Sequence, residues 1–318
     1  MKRAAIAWCL AMLFAATAHA QNYPSQTVHF ICAFPAGSGA DIIVRWYAEK
    51  LRPLMGQTIL VENRVGALGN LATEYVARSK PDGHTIYLTG ATAITTSKYL
   101  FKNQSIDAAR DLVVAASLNR QSTMLIVAAN KPLNTVADLT AYLKSRKDAG
   151  TYGQTNPNAR VMGALYKEYA QVDATEVGYR ALAELLNDLT SGALDFAFVD
   201  NISATSLARE GKVRILGMST PQRLQSSPDI PTMAEQGIPI NLTAWFAAIV
   251  PSATPQPVIN HINKLFNQVT SSDDGKKFLG GLPSDPWPTT PEEARANIER
   301  EIKAWGEYVR IAKIEPQG

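Results

Sequence analysis

Val28-His29-Phe30-Ile31-Cys32-Ala33-Phe34-Pro35-Ala36-Gly37-Ser38-Gly39-Ala40-Asp41 is the stretch from which the fold is read. Val28 to Phe34 is an almost unbroken apolar run, the pattern of a strand covered on both faces. Pro35 to Gly39 breaks it. Apolar residues then return at Ile43, Val44, Tyr47, Ala48 and Leu51, which is helical spacing. Ser38 and Asp41 form the S-x-x-D signature of a helix start. A strand, a glycine turn and a helix in this order place backbone N–H groups and the positive end of a helix at one point, a natural cradle for an anion.

The pattern repeats downstream. Thr58 to Glu62 and Thr85 to Thr89 read as strands, separated by a helix and by the turn Pro81-Asp82-Gly83. Met124 to Ala128 opens a second β/α series, with helices starting near Thr135, Asn156 and Ala181 and strands at Leu194–Val199 and Val213–Met218. The turn-rich stretch Pro221 to Pro239 ends this series. Trp245 to Val250 reads as a strand returning to the first unit, followed by two helices, the second opening with Thr290-Pro291-Glu292-Glu293. The expected fold is therefore α/β, two units each built on a mainly parallel sheet flanked by helices. The expected division is a signal peptide over 1–20, a first domain over 21–121 and 241–318, and a second domain over 122–240. The passages between domains fall near Ser117–Thr123 and Pro239–Trp245.

Met1-Lys2-Arg3, the short apolar stretch Ala4 to Thr17 and Ala18-His19-Ala20 together read as an export signal with cleavage before Gln21. Removing 20 residues from 318 leaves 298, enough for two domains. The loss of Lys2 and Arg3 takes the basic residues from 31 to 29 against 28 acidic ones, a net charge of about +1. That balance argues against nucleic acid as a partner, since binding phosphates needs a basic surface. Cys32 is the one cysteine after the leader, so no internal disulfide forms, and its apolar setting reads as a buried small hydrophobe.

Motifs for chemistry are missing. His29, His84 and His261 are scattered, with no H-E-x-x-H or Cys/His cluster, so no metal is expected. There is no G-x-S-x-G elbow and no G-x-x-x-x-G-K-[ST] loop. Gly37-Ser38-Gly39-Ala40-Asp41-Ile42 approaches a dinucleotide fingerprint but has Ile42 at the third glycine, although Glu62 lies where a ribose would want an acid. No cofactor is expected, and no catalytic residue is assigned.

A second loop of the same kind is Tyr152-Gly153-Gln154-Thr155-Asn156-Pro157-Asn158-Ala159-Arg160. Asn156 suits the N-cap and Pro157 the first helical position. Arg160 lies off the buried stripe of Met162, Leu165, Tyr166 and Tyr169, in the first turn, where a cation opposes the helix dipole. It reads either as a solvated or salt-bridged arginine or as a fork for a ligand carboxylate. Asp200, at a strand's C-terminal end, reads equally as structural or as ligand-facing.

With these two loops in place, the chain resembles the extracytoplasmic solute receptors of tripartite tricarboxylate transporters, the Bug family, from about Tyr23 to Ile314. The resemblance is carried by Phe34-Pro35-x-Gly37-x-x-x-Asp41-x-x-x-Arg45 and Val61-Glu62-Asn63-Arg64-x-Gly66-Ala67-x-Gly69. Val76-Ala77, Pro81-Asp82-Gly83-x-Thr85, Tyr179-Arg180, Gly192-x-x-Asp195, Asp200-Asn201 and Pro231-Thr232-x-x-Glu235-x-Gly237 continue it in order. It implies a periplasmic receptor, a two-domain clamp of the periplasmic binding protein kind (type II-like), each domain a mixed, mainly parallel sheet flanked by helices, that closes on a small carboxylate. The carboxylate would be di- or tricarboxylic; an aromatic dicarboxylate of the terephthalate type would also suit an apolar middle near Phe34. It also implies membrane components of a transporter as partners and a monomeric receptor.

Carried over residue by residue, the first jaw is Phe34, Ala36, Gly37, Ser38, Gly39, Ala40 and Asp41, with Thr89 and Ala91 completing the candidate set on that unit. The second is Gln154, Thr155, Asn156, Asn158 and Arg160, with Asp200 beside it. The chain departs from the family where Ser38 replaces a second glycine, at Leu68 and Ala72, and where Arg160 falls at a usual histidine. The expected ligand has two carboxylates, one per jaw, with Arg160 taking the second. Two rivals remain: a carboxylate-sensing partner of a membrane sensor kinase, and an exported enzyme.

Overall fold

The structure is a computed structural model describing residues 23–100, 102 and 105–316. The leader read over residues 1–20 lies outside the described residues. Among the described residues no helix is long and apolar enough to cross a membrane.

The first sheet is built from β1 (Val28–Cys32), β2 (Ile59–Asn63), β3 (Thr85–Gly90), β4 (Leu112–Gln121), β10 (Ala244–Pro251) and the short β11 (Asp285–Pro286), in the order β11-β4-β10-β3-β1-β2. The second contains β5 (Thr123–Ala128), β6 (Gly150–Gln154), β7 (Ala174–Gly178), β8 (Phe196–Asp200) and β9 (Val213–Met218), in the order β7-β6-β8-β5-β9. The longer helices are α1 (Gly39–Met55), α2 (Asn70–Ala77), α3 (Val136–Ser145), α4 (Pro157–Ala170), α5 (Leu182–Ser191), α6 (Asn201–Arg209), α7 (Gln256–Ser271), α8 (Asp273–Gly281) and α9 (Pro291–Ile311).

The two sheets share one plan. In the first, β2, β1 and β3 are parallel neighbours, and in the second, β7, β6 and β8. Next to each trio stands one strand of opposite direction: β10, antiparallel to β3 and β4, and β5, antiparallel to β8 and β9. These two reversed strands are the ones through which the chain arrives from the other sheet. Parallel neighbours need a crossover, which the helices supply, whereas a strand arriving directly can run antiparallel.

Alternation along each central strand explains its apolar run. Val28, Phe30 and Cys32 pack on the side of α1 and α7, with Val44, Tyr47, Ile262 and Phe266. Ile31 and Tyr87 pack on the other side with Ala72, Val76, Ala294 and Ile298. In the second unit Tyr152, Phe196 and Phe198 face α3 and α4, while Met124, Ala197 and Val199 face α5 and α6. Each fully buried large apolar side chain contributes about 1.5–3 kcal/mol. Cys32 is buried and free; burial is the main cause raising its thiol pKa.

Only Ser122 separates β4 from β5, and residues 219–243 lead back to β10. The two crossings are tied together. Thr123 N–H donates to Ser219 Oγ (3.0 Å), Ser219 N–H to Ser122 Oγ (3.0 Å) and Ser219 Oγ–H to the Leu242 carbonyl (2.6 Å). Helix α9 makes a third link. Its N-terminal half (Ala294, Ile298) joins the first core, whereas Trp305 and the following Ile314 join the second. Thr290 and Glu293 form its complete capping box.

Candidate functional site

The C-terminal ends of β1 and β6, equivalent strands in the two sheets, carry the two glycine-containing or Asn-capped turns. Open α/β sheets place ligands at such strand ends.

In the first turn Ser38 is the N-cap of α1, and its Oγ accepts the Asp41 N–H at 3.3 Å. Gly37 has φ +80°, a left-handed conformation that glycine adopts without strain. The Gly37 N–H donates to Asp41 Oδ2 (2.8 Å), and the Ser38 N–H to the Pro35 carbonyl (3.2 Å). Among the described residues this leaves the N–H groups of Ala36, Gly39 and Ala40 without a protein acceptor, at the positive end of a 17-residue helix.

Asp41 lies beneath this turn, 1% exposed. Its carboxylate takes Arg45 Nε at 2.8 Å and Asn63 Nδ2 at 2.7 Å, besides Gly37 N–H. Asn63 Nδ2 also donates to the Phe34 carbonyl (2.9 Å), and Arg45 Nη2 donates to Asn63 Oδ1 (2.9 Å). Burial pushes the Asp41 carboxyl up, but the donors from Arg45, Asn63 and Gly37 together outweigh it and hold the pKa below the ordinary aspartate value. The motif residues Asp41, Arg45 and Asn63 are thus one brace that shapes the turn. Phe34 stands 37% exposed at the rim, its ring 6.1 Å from that of Phe246 on β10. Thr89 and Ala91 are buried, with Ala91 N–H donating to the Trp245 carbonyl (2.9 Å).

In the second turn Asn156 caps α4, its Oδ1 accepting the Ala159 N–H at 3.0 Å, and Arg160 N–H donates to the Asn156 carbonyl at 3.0 Å. Thr155 and Asn158 are partly exposed. Arg160 Nε lies 3.2 Å from Glu176 Oε1, so its salt-bridged reading is realised inside the second unit. Gln154 Nε2 donates to the same carboxylate at 3.1 Å, and Tyr152 O–H at 3.2 Å. Asp200 is exposed and is the N-cap of α6, accepting Ser203 N–H (2.9 Å) and Ser203 Oγ–H (2.8 Å). Among the described residues no hydrogen bond or ion pair joins the first turn to the second.

Two residues of the neighbourhood escape a reading of the sequence. Phe246 reads there only as part of a strand, and its place opposite Phe34 follows from the pairing of Phe246 with Gly90. Glu176 lies on β7, and the register of Tyr152 with Glu176 brings it to the second turn. Among the described residues no group of histidine, cysteine and acidic side chains is arranged to hold a metal ion.

The chain is 26% identical to a UPF0065 protein of Bordetella pertussis, over 98% of its own length and 97% of that protein's. It is 27% identical to BugT of the same organism over 93% of this chain and 92% of BugT. Among solved structures it is similar to Rpa4515 of R. palustris, solved with adipate: TM-score 0.82, 27% identity, 93% of this chain and 100% of that one. MatC of Rhodopseudomonas palustris, with bound malate, follows at TM-score 0.76 and 25% identity, covering 90% of this chain and 100% of MatC. The periplasmic binding protein BugD is similar too, at TM-score 0.77 and 26% identity over 93% of this chain and 100% of BugD. The description "tripartite tricarboxylate transporter family receptor" matches residues 43–314, and the chain belongs to that family.

Proposed function

We propose that this protein is a periplasmic solute receptor that reversibly binds a small organic carboxylate between its two turns and presents it to the membrane components of a tripartite tricarboxylate-type transporter. One observation carries the reading. The N–H groups of Ala36, Gly39 and Ala40 are unused by the chain at the α1 N-terminus, where a carboxylate satisfies them and gains from the helix dipole. The adipate of Rpa4515 and the malate of MatC support the ligand class.

On this reading residues 21–121 with 241–318 form one jaw and 122–240 the other, the leader 1–20 is removed on export, and no reaction is catalysed. Closure is favoured because the closed state adds contacts from the second turn. The ligand is a di- or tricarboxylate or an aromatic dicarboxylate, with Phe34 and Phe246 as the apolar wall between carboxylates and Arg160 near the second one.

A thermal-shift screen of the mature chain against aliphatic and aromatic carboxylates, amines and sugars tests this. At a hundred times its dissociation constant a ligand adds about 2.7 kcal/mol of stability. Shifts by carboxylates are expected. Shifts by amines or sugars with none by carboxylates overturn the proposal.

A further inference from the structure

Resting on that reading, we propose that Glu176 is a specificity-determining residue of the second turn, which cancels the charge of Arg160 and thereby sets how strongly a second ligand carboxylate is bound.

The geometry is local and complete. β6 and β7 are parallel neighbours with Tyr152 opposite Glu176, and strand alternation puts Gln154 on the same face two residues on. One carboxylate therefore collects three donors: Tyr152 O–H, Gln154 Nε2–H and Arg160 Nε–H. Gln154 enters the turn and Arg160 leaves it, so Glu176 braces both ends. Glycine at 178 keeps the neighbouring position clear, since a Cβ there would come within 3.3 Å of Gln154 Nε2.

The electrostatic consequence follows from the pair itself. Paired with the Glu176 carboxylate at 3.2 Å, Arg160 adds no net charge to the second turn. An incoming carboxylate must share the guanidinium and also faces the Glu176 charge. Arg160 Nε is taken by Glu176, and the guanidinium keeps further N–H donors on its Nη atoms. Orientation is retained while the long-range attraction is reduced. A dicarboxylate then gains little over a monocarboxylate from Arg160.

The test is calorimetric. Dissociation constants are measured for succinate, glutarate, adipate and terephthalate, and for butyrate, pentanoate, hexanoate and benzoate, on the wild type, Glu176→Gln, Arg160→Gln and the double variant. The amide introduced by Glu176→Gln retains an acceptor for Tyr152 and Arg160. The expected result is a preference for dicarboxylates over matched monocarboxylates about tenfold larger in Glu176→Gln than in the wild type. In Arg160→Gln, which leaves Glu176 uncompensated, that preference falls about tenfold, and the double variant returns it to near the wild-type value.

An unchanged preference in Glu176→Gln, or a double variant no better than Arg160→Gln, overturns the inference. If Glu176→Gln does not fold, the wild type still decides. Its dicarboxylate affinity should weaken with salt no more than its monocarboxylate affinity, and a steeper dependence shows an uncancelled Arg160 charge and overturns the proposal. If none of these acids binds any of the proteins, the carboxylate reading itself fails and this one with it. Carboxylate binding with an unaltered preference removes Glu176 alone.

Discussion

The carboxylate of Asp41 sits 2.8 Å from Arg45 Nε, one helical turn on, with its other bonds going back to Gly37 N–H and across to Asn63. The acid of the first turn therefore faces inward and holds the turn's shape, while the free N–H groups face outward. Asp41→Asn presents an amide N–H to these donors. It should cost about 1–3 kcal/mol of stability and weaken carboxylate binding. The sign of the pH effect follows from the depressed folded pKa. The stabilisation is present above the unfolded aspartate value of about 3.9 and is lost as pH falls through the folded value. Urea titrations at pH 7 and pH 3 check both points: the gap between wild type and variant should narrow at the lower pH.

Glu301 behaves in the opposite sense. Its Oε1 accepts the Trp245 indole N–H where β10 leaves the crossing, and burial pushes its carboxyl up to about 8 against the weaker pull of Trp245 and the Arg300 charge. Between the unfolded value of about 4.3 and the folded one, the unfolded chain releases a proton that the folded chain keeps, so stability falls as pH rises. Glu301→Gln retains the acceptor and removes this dependence. The variant should gain on the wild type between pH 5 and pH 8 in urea unfolding. A constant difference across that range contradicts the assignment.

What can be read along the chain is whatever depends on neighbours in sequence. Val28 to Phe34 announces a doubly covered strand because both of its faces are apolar, and β1 is indeed flanked by two cores. The Asn156 cap and the Thr290 capping box lie within three residues of their partners and are equally legible. Asp200 reads two ways in sequence, although Ser203 three residues on supplies both donors that make it a cap.

What escapes depends on distant partners. The sequence does not show β4 through to Gln121 because Ser117 and Asn119 interrupt its apolar pattern. Both are buried, and Thr289 and Ser284, about 170 positions away, satisfy them. Glu176 is silent in sequence because only the β6–β7 register brings it to Arg160.

Asp195 anchors the second sheet. At 1% exposure it accepts Tyr142 O–H (2.9 Å), Arg146 Nη1 (2.9 Å), Lys131 Nζ (3.1 Å) and Thr151 N–H (2.9 Å). Burial alone would raise its pKa, but these donors outweigh it and leave the pKa lowered. Asp195→Ala takes the carboxylate from Lys131 and leaves Arg146 with Asp148 alone, and should cost about 3–5 kcal/mol. The denaturation midpoint should drop accordingly, and a loss under about 1 kcal/mol would show that the cluster is not a unit.

Gly163 links the packing of the second core to its turn. A Cβ at this position in α4 would lie 2.0 Å from Tyr152 Cε2, and that ring is already stacked on Phe196 with centroids 5.4 Å apart. Alanine is the better helix former by about 1 kcal/mol, but moving a buried ring costs about 1–3 kcal/mol, so Gly163→Ala should be net destabilising. Because Tyr152 O–H holds Glu176, the displacement also reaches Arg160 and Gln154. Gly280→Ala, where the new methyl meets nothing within 4 Å in α8, serves as the control and should be neutral or slightly stabilising. Melting temperature and carboxylate affinity measured on both variants decide it. A lower melting point and weaker binding confined to Gly163→Ala are expected, and unchanged affinity there would show that the second turn is insulated from the core beneath it.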